Sequence, residues 1–138
     1  MTGKGSLNHN SRKFHAKNTD PNRTHWNVEY CNEDIKDVYH ELFDDALKRY
    51  NDKQTRKDRK IDDYYEKIRS GKQEKLFHEV ILQIGDKDNM GSETMEGQLA
   101  AKILDEYMKG FQERNPTLRV FAAHLHLDEA TPHLHIDF

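Results

Sequence analysis

The stretch His124-Leu-His-Leu-Asp-Glu-Ala-Thr-Pro-His-Leu-His-Ile-Asp-Phe138 holds four histidines and three carboxylates within fifteen residues. Polar and apolar residues alternate on both sides of Asp128-Glu-Ala-Thr-Pro132, and a period of two is typical of β-strands. A short connection that contains Asp and Pro favours a hairpin loop. We therefore predict two antiparallel strands whose histidines share one face of a sheet.

Opposed side chains in such a hairpin lie about 5 Å apart at Cβ, so that several imidazoles can converge on one cation. We predict that His126, His133 and His135 bind one divalent metal ion, and the residue types leave Mn²⁺, Mg²⁺ and Zn²⁺ open. His124 is expected to face outward. Asp137 is a candidate acceptor for the distal N–H of a ligand imidazole.

Composition and charge narrow the class of protein. The chain of 138 residues suits one domain with a small core, since 34% of it is hydrophobic and 34% charged. The single cysteine, Cys31, excludes an intrachain disulfide and fits a reducing compartment. No segment has the ~20 apolar residues of a membrane span, so we expect a cytoplasmic protein.

The charge is segregated although the net charge is only −3. Residues 1–25 carry five basic residues against one acidic residue, and residues 48–60 carry seven against two. These two stretches therefore have net charges of +4 and +5, which leaves −12 for the remainder. Basic stretches on an acidic body could bind the phosphate backbone of a nucleic acid, although a solvated helix face gives the same charge pattern.

The chain in order predicts an α+β fold. Residues 1–31 are mostly loop, with Phe14 and Trp26 as its anchors, and residues 32–71 form two helices. Residues 75–138 form a strand over the apolar run 76–84, a long helix and the histidine hairpin. The predicted helices span about 33–50, with Asn32 as N-cap, 56–70, with a near capping box at Thr55 and Asp58, and 92–113, with Ser92 as N-cap. The third helix is expected to bury the stripe Met95, Leu99, Ile103, Tyr107 and Phe111.

The segment His126-Leu-Asp-Glu-Ala-Thr-Pro-His-Leu-His135 closely resembles the third motif of the Pre/Mob (MobV-type) plasmid mobilisation relaxases, within the HUH endonuclease superfamily. Residues 133–135 match the His-hydrophobe-His element that names the superfamily. The stretch from His9 to Asn27 is similar to the family's first motif region, and Asn27-Val-Glu29 resembles its second motif. Val28 departs from the family, in which this position tends to be aromatic.

The resemblance implies an antiparallel-rich sheet with packed helices. The family's sheet begins before the His-Asn motif, where Met1–Leu7 is short and glycine-rich, and it continues after the His-x-His element. We therefore expect this single relaxase-like domain, or fragment of one, to be incomplete at one or both ends.

The implied activity is metal-dependent nicking and rejoining of one strand at a plasmid transfer origin through a covalent 5′-phosphoryl intermediate. Mn²⁺ or Mg²⁺ is favoured, with Zn²⁺ as the third candidate. His9 matches the nucleophile, and Glu129 binds or orients at the metal or assists as an acid or base. Arg12 also belongs to the catalytic set. The expected DNA contacts are Arg12, Lys13, Arg23, His25 and Asn27.

The expected partner is single-stranded or supercoiled plasmid DNA, with accessory mobilisation or coupling proteins. Three alternatives stay open. The nucleophile could be a tyrosine, with Tyr64, Tyr65 and Tyr30 as candidates, although Tyr64 and Tyr65 share a stripe with Ile61 and Ile68. The chain could be a DNA- or metal-binding remnant of a relaxase without catalysis. It could also be a metal-dependent hydrolase of another substrate.

Overall fold

The computed structural model describes residues 6–138. Two compact units form within it, one from the described residues up to Asn32 together with His78–Phe138, the other from Glu33–Phe77. The assignment of the whole chain to one domain stays a prediction. None of the helices in the described part combines the length and apolar character that crossing a bilayer requires. Lys4 and the glycine-rich start of the chain lie outside the described residues.

The first unit is built on a four-stranded sheet. Its strands are β1 (Val28–Asn32), β2 (Glu79–Gln83), β3 (Ala122–His126) and β4 (His133–Asp137). Their spatial order is β1-β3-β4-β2, and every neighbouring pair is antiparallel. The α+β fold with an antiparallel sheet is confirmed. The predicted strand at 76–84 is confirmed within narrower bounds, whereas β1 was missed.

The histidine hairpin forms as predicted. His124 lies opposite His135, and His126 lies opposite His133, in the β3–β4 register. The missed strand β1 pairs with the other edge of β3, with a register shift between Glu29 and Cys31. Its alternation is short and interrupted, which explains why period-two patterning did not reveal it.

The opposite face of the sheet carries the hydrophobic core. Helix α1 (Leu7–Asn10) lies outside this core, whereas α4 (Met95–Lys109) and α5 (Phe111–Arg114) contribute to it. Side chains of α4 pack against Leu125, Leu134 and Ile136, which are at most 2% exposed. This division leaves the histidine face for polar groups.

The stripe predicted for α4 was largely wrong. Met95, Leu99, Ile103 and Tyr107 are 40–86% exposed, and only Phe111 is buried. The buried positions instead follow mixed three- and four-residue steps: Gly97, Ala100, Ala101, Leu104, Met108. A strict four-residue repeat advances by 40° per step and winds round the helix, so it cannot stay on one contact face. Small residues also let α4 pack closely against the segment that precedes it, since a Cβ at Gly97 would collide with the carbonyl oxygen of Gly91.

The second unit contains two α-helices, α2 (Ile35–Asp52) and α3 (Tyr64–Ser70). Its aromatic cluster joins Tyr39 and Phe43 of α2 to Tyr64 of α3, with ring centroids 5.1–5.9 Å apart. Val38 and Ile68 are the buried aliphatic residues. The interpretation of Tyr64 and Tyr65 as packing residues agrees with this placement.

The helix boundaries differ from those predicted because other side chains act as caps. Asp34, Asp63 and Thr94 accept backbone N–H groups at the starts of α2, α3 and α4, in place of Asn32, the Thr55–Asp58 pair and Ser92. The predicted helix at 56–70 is shorter because Asn51 exchanges two hydrogen bonds with the backbone of Ile61.

Two leucines of α4 test the corrected stripe with the same substitution. Leu104 is 3% exposed and Leu99 is 59% exposed. We expect Leu104→Ala to lower the free energy of unfolding by about 3 kcal/mol, because it leaves a cavity in the core. Leu99→Ala should change it by less than about 0.5 kcal/mol. Urea unfolding followed by circular dichroism measures both, and equal losses would contradict the assigned contact face.

Candidate metal centre

Three histidine rings converge at the centre of the polar face. His126, His133 and His135 each offer a nitrogen, and these nitrogens lie within 4.8 Å of one another. The three residues are at most 9% exposed. Strand β3 supplies one ring and β4 the other two, so the hairpin register alone brings the set together.

In each ring, one nitrogen lies within hydrogen-bonding distance of an oxygen acceptor, and the other nitrogen is left for the cluster. The pairs are His126 Nε2 with the Asn10 carbonyl oxygen (2.8 Å), His133 Nδ1 with the Thr131 carbonyl oxygen (2.8 Å), and His135 Nδ1 with Glu79 Oε1 (2.7 Å). Among the described residues, His126 Nδ1 and His135 Nε2 are buried without a hydrogen-bond partner. Buried nitrogens left this way, on rings oriented by carbonyl and carboxylate oxygens, fit a divalent transition-metal ion.

Burial keeps two of the rings, those of His126 and His135, neutral. Burial lowers the pKa of His126 to about 2. Burial also lowers the pKa of His135, and the neighbouring His133 acts in the same direction. A metal ligand must be a neutral imidazole, so both rings are available as ligands at ordinary pH.

Glu79 orients His135, a role that had been considered for Asp137. Asp137 instead contacts the Asn10 side chain, whose Nδ2 donates to Asp137 Oδ2 (3.3 Å) and to Glu79 Oε1 (2.7 Å). Burial raises the pKa of Asp137 to about 7, and the nearby Glu79 carboxylate adds to the effect. Glu79 was not predicted as a site residue, although an acid inside the apolar run of residues 76–84 was a signal for one.

Helix α1 places His9 beside the three rings. Ser6 caps this short helix by accepting from the His9 backbone N–H. The His9 ring centroid lies 6.0 Å from that of His126 and 6.5 Å from that of His135. His9 is partly exposed, and it lines an open cleft of about 630 Å³ with Asn18, Gln83 and side chains of the hairpin. The two ends of the sequence therefore meet at one site.

Arg12 joins α1 to the hairpin loop. Its Nε and one Nη bind the two oxygens of Asp128, and the same Nη binds Glu129 Oε1. The other Nη faces the carbonyl oxygen and Nε2 of His9, at 3.1 and 3.3 Å. These contacts engage the five N–H groups of the guanidinium, which is only 8% exposed. The guanidinium is thus occupied by groups of the protein itself, and the expected DNA contact of Arg12 stays a prediction.

Asp128 is the buried anchor of this pair. Its side chain is fully buried, and Thr24 Oγ1 also donates to it. Burial alone would raise the pKa of Asp128, but the hydrogen bonds, above all from Arg12, lower it to about 2. Arg12 has a φ of 53°, a left-handed conformation uncommon for a residue other than glycine. The ion pair holds the backbone in that conformation.

Glu129 lies between the three rings and α1. Its Oε2 is 3.7 Å from His133 Nε2, and its Oε1 is 3.4 Å from His9 Nε2. Asn18 donates to Oε2 at 2.9 Å. His9, His126 and Glu129 also form a second set of potential metal ligands, so Glu129 is within reach of a cation bound here.

The remaining predicted DNA-binding residues have different environments. Lys13 and His25 are exposed, whereas Arg23 is held by Asp20 through a 3.1 Å contact. Asn27 turns inward, and its Oδ1 accepts the backbone N–H groups of residues 127 and 128. Phe14 and Trp26 are 51% and 37% exposed, so the prediction that they anchor the N-terminal segment was wrong.

His124 was expected to face outward and Tyr30 was a candidate nucleophile, but both side chains have other environments. His124 is 4% exposed rather than outward-facing, and its Nε2 lies 3.2 Å from Glu29. Tyr30 packs against the core and donates to Asp105 at 2.7 Å, while burial raises its pKa. Tyr30 therefore lies on the core side of the sheet, and Tyr64 and Tyr65 belong to the second unit. Of the candidate nucleophiles, His9 is the one that the first unit brings to the three rings.

The sequence model of the family described as "plasmid recombination enzyme" (Mob_Pre) matches residues 4–138. The chain belongs to this family. The resemblance to the Pre/Mob relaxases is thereby confirmed. No curated protein matches the chain in a sequence search.

Solved structures of a family member share the fold. Three are Mn-bound crystal structures of the MobM relaxase domain (MOBV; Mob_Pre) bound to plasmid pMV158 oriT DNA. Their identities to this chain are 26% at pH 5.5, 24% at pH 4.6 and 23% in a thiophosphate complex at pH 6.8, with TM-scores of 0.52, 0.51 and 0.52. Each match covers 95% of this chain and 60% of the relaxase domain.

The orienting role of Glu79 predicts an effect on metal affinity. Glu79→Gln removes the negative charge that favours the Nε2-presenting tautomer of His135, so Mn²⁺ affinity should fall about 10- to 100-fold. Isothermal titration calorimetry measures the change. Glu74→Gln, at an exposed position of the second unit, is the matched control and should leave affinity unchanged. A Glu79→Gln protein with wild-type affinity would contradict the role.

The ion pair predicts an effect on stability. Asp128→Asn removes the charge that compensates a buried guanidinium, so the free energy of unfolding should fall by about 3 kcal/mol. Asp88→Asn removes a 76% exposed carboxylate and should cost less than about 1 kcal/mol. Thermal unfolding of the two variants compares them. Similar melting temperatures would show that Arg12 is not held by Asp128.

Proposed function

We propose that this chain nicks and rejoins one strand of plasmid DNA at a transfer origin through a covalent histidine–phosphate intermediate. The observation that carries the proposal is the position of His9 beside three oriented, buried imidazoles. The chain spans about 60% of the length of the MobM relaxase domain that it matches. Membership of the plasmid recombination enzyme family supports the reaction class.

The proposed cofactor is a divalent cation held by His126, His133 and His135. Mn²⁺ or Mg²⁺ is favoured over Zn²⁺, and the MobM relaxase domain was crystallised with Mn. A bound cation would supply Lewis-acid polarisation of the scissile phosphate. The protein contributes the fixed tautomers of the rings and the closely packed surroundings that hold them.

His9 is the proposed nucleophile. An arginine can only donate, so the 3.3 Å contact from Arg12 Nη1 makes His9 Nε2 the unprotonated, accepting nitrogen, and its lone pair must leave this contact to attack phosphorus. Attack by this nitrogen forms the N–P bond and breaks the bond from phosphorus to the 3′ oxygen, which takes up a proton and leaves as the 3′-OH. A neutral imidazole needs no prior deprotonation by a strong base. The reverse reaction rejoins the strand.

Glu129 and Arg12 support this step in different ways. The ring of His9 gains positive charge when its nitrogen bonds to phosphorus, and the Glu129 carboxylate 3.4 Å away offsets that charge. Arg12 fixes the orientation of His9 through its backbone oxygen and its ring. We therefore assign Arg12 as a positioning residue. Lys13 and His25, which are exposed, remain the proposed DNA contacts with Arg23 and Asn27.

The proposed partner is plasmid DNA. The MobM relaxase domain was crystallised with oriT DNA of plasmid pMV158, and the family's description refers to plasmid recombination. Single-stranded DNA exposed at a supercoiled origin is the proposed substrate, and accessory mobilisation proteins remain proposed partners. We propose a cytoplasmic location because the proposed role is plasmid processing.

The nucleophile can be identified by the chemistry of its adduct. The chain is incubated with Mn²⁺ and labelled single-stranded oligonucleotides that tile the candidate origin. We expect a covalent adduct that is stable in alkali, labile in acid and absent from His9→Ala, because a phosphoramidate hydrolyses in acid. His15→Ala, at an exposed position in the same segment, is the matched control and should retain the adduct.

Other outcomes of this assay point to the alternatives. An acid-stable adduct that survives His9→Ala would identify a tyrosine nucleophile. Salt-dependent retention of DNA without an adduct would indicate a binding remnant. Metal-dependent hydrolysis of other phosphoesters, with no DNA retention, would indicate a different hydrolase.

The ligand set has its own test. Removing one of three imidazole ligands should abolish stable binding, so His133→Ala should retain less than about a tenth of the wild-type Mn²⁺ after gel filtration. His40→Ala removes an exposed histidine of the second unit and should retain all of it. Metal content by mass spectrometry gives the ratio, and unchanged content in His133→Ala would overturn the ligand set.

A further inference from the structure

The second set of potential metal ligands overlaps the three-ring site. His9, His126 and Glu129 each offer one donor atom, and these atoms lie within 4.8 Å of one another. His9 Nε2 is 3.4 Å from Glu129 Oε1. Two imidazoles and a carboxylate are ligands that Zn²⁺ and Mn²⁺ accept. The polar face therefore offers two positions for an ion, and the proposed reaction uses only the one between His126, His133 and His135.

An ion in the second position would disable the site in two ways. His126 Nε2 lies 2.8 Å from the Asn10 carbonyl oxygen, which leaves Nδ1 as the nitrogen that can bind a metal. A neutral imidazole has one lone pair, so His126 cannot serve both positions at once. The lone pair of His9 would also be bound to the ion. The second position therefore competes with the first and blocks the proposed nucleophile.

A fixed positive charge lies against the second set. Arg12 Nη1 is 3.3 Å from His9 Nε2, and Arg12 Nη2 is 2.8 Å from Glu129 Oε1. A guanidinium is charged at every ordinary pH. A divalent ion bonded to these two donor atoms would lie beside that charge and be repelled by it. The contact to His9 is long for a hydrogen bond, so it holds the lone pair less firmly than a metal–nitrogen bond would.

The guanidinium is held in this place by a buried anion. Asp128, which is fully buried, binds Nε and Nη2 of Arg12, and the Arg12 side chain is only 8% exposed. The three-ring set has the opposite charge beside it, because Glu79 Oε1 lies 2.7 Å from His135 Nδ1. Two ligand sets that share one imidazole therefore differ in the charge that faces them.

We propose that Arg12 excludes metal ions from the position between His9, His126 and Glu129, so that an ion binds only at the three-ring site. Arg12 thereby determines which ligand set is loaded and keeps the lone pair of His9 free of metal. The benefit to the nucleophile rests on the proposed function. The exclusion itself concerns metal binding alone and is tested without DNA.

Chemical modification of His9 reports whether a metal ion occupies its lone pair. Diethyl pyrocarbonate reacts with the unprotonated nitrogen of an imidazole, and a metal-bound nitrogen does not react. Zn²⁺ is the stricter probe, since it binds nitrogen and oxygen ligands more tightly than Mn²⁺. In the wild-type chain, Zn²⁺ should change the modification rate of His9 by less than about twofold, because the ion binds elsewhere. Mass spectrometry of the tryptic peptide that contains His9 measures the rate, and the exposed His15 is the internal control.

Removing Arg12 should open the second position. The comparison uses His133→Ala, which deletes a ligand of the first set and none of the second. Adding Arg12→Met to this variant should raise the Zn²⁺ retained after gel filtration about fivefold, because three ligands are again available. Zn²⁺ should now slow the modification of His9 about tenfold, since its lone pair is on the metal. Adding His9→Ala as well should abolish the regained Zn²⁺.

Two further variants control for charge and folding. Arg56→Met removes an arginine that is 63% exposed, and in the His133→Ala background it should restore no Zn²⁺. Arg12→Met leaves a buried carboxylate unpaired, so Arg12→Met is also made together with Asp128→Asn, which removes both charges of the ion pair. Circular dichroism identifies the folded variants. The wild-type modification experiment needs no variant, so the inference is exposed to contradiction even if every Arg12 variant unfolds.

The outcomes separate this inference from the proposed function. Protection of His9 by Zn²⁺ in the wild-type chain would overturn the exclusion. So would folded Arg12 variants of His133→Ala that neither regain Zn²⁺ nor protect His9. Neither result bears on DNA nicking, which the adduct assay decides. Conversely, a chain that forms no adduct while Arg12 excludes Zn²⁺ as described would overturn the proposed function and leave the exclusion standing.

Discussion

The ion pair between Arg12 and Asp128 is the interaction on which the site depends. It joins a four-residue helix near the start of the chain to the loop of a hairpin near its end, more than a hundred residues away. Both side chains are almost completely buried, and the guanidinium has no hydrogen-bonding capacity left over. Such a pair stabilises a fold only when geometry and hydrogen bonds are nearly complete. The same contacts keep Arg12 at positive φ and direct its second Nη group towards His9.

One face of the sheet carries the hydrophobic core, and the other face carries the histidine site. Leu125, Leu134 and Ile136 alternate with the histidines along β3 and β4, so each strand contributes to both the core and the site. The rigid core fixes the strand register, and the register fixes the distances between imidazoles. Asn10 adds a further link, since its backbone oxygen binds His126 while its side chain bridges Glu79 and Asp137. The cluster is therefore oriented from both sides by groups that are themselves buried.

Local sequence patterns predicted the features of the fold that depend on residues close together along the chain. The hairpin and its three-histidine set followed from alternation and spacing, and the helices followed from apolar repeats, with errors at their ends. The contact face of α4 was missed because periodicity shows that a helix is amphipathic without identifying its partner. Glu79 was missed because its partner, His135, lies 56 residues away. The burial of His124 depends on β1, which pairs with the edge of β3 and was missed because its register is interrupted between Glu29 and Cys31.

The sequence by itself determined the antiparallel hairpin, the family and the identity of the three imidazoles, because these features are encoded in residues adjacent along the chain. Tertiary structure decided how each ring is oriented, that Arg12 holds His9, and that His9 lies beside the three rings. Those features depend on hydrogen bonds and volumes between distant segments. Such quantities are set only when the chain closes on itself, because the direction of a side chain and the burial of its atoms are properties of the packed whole.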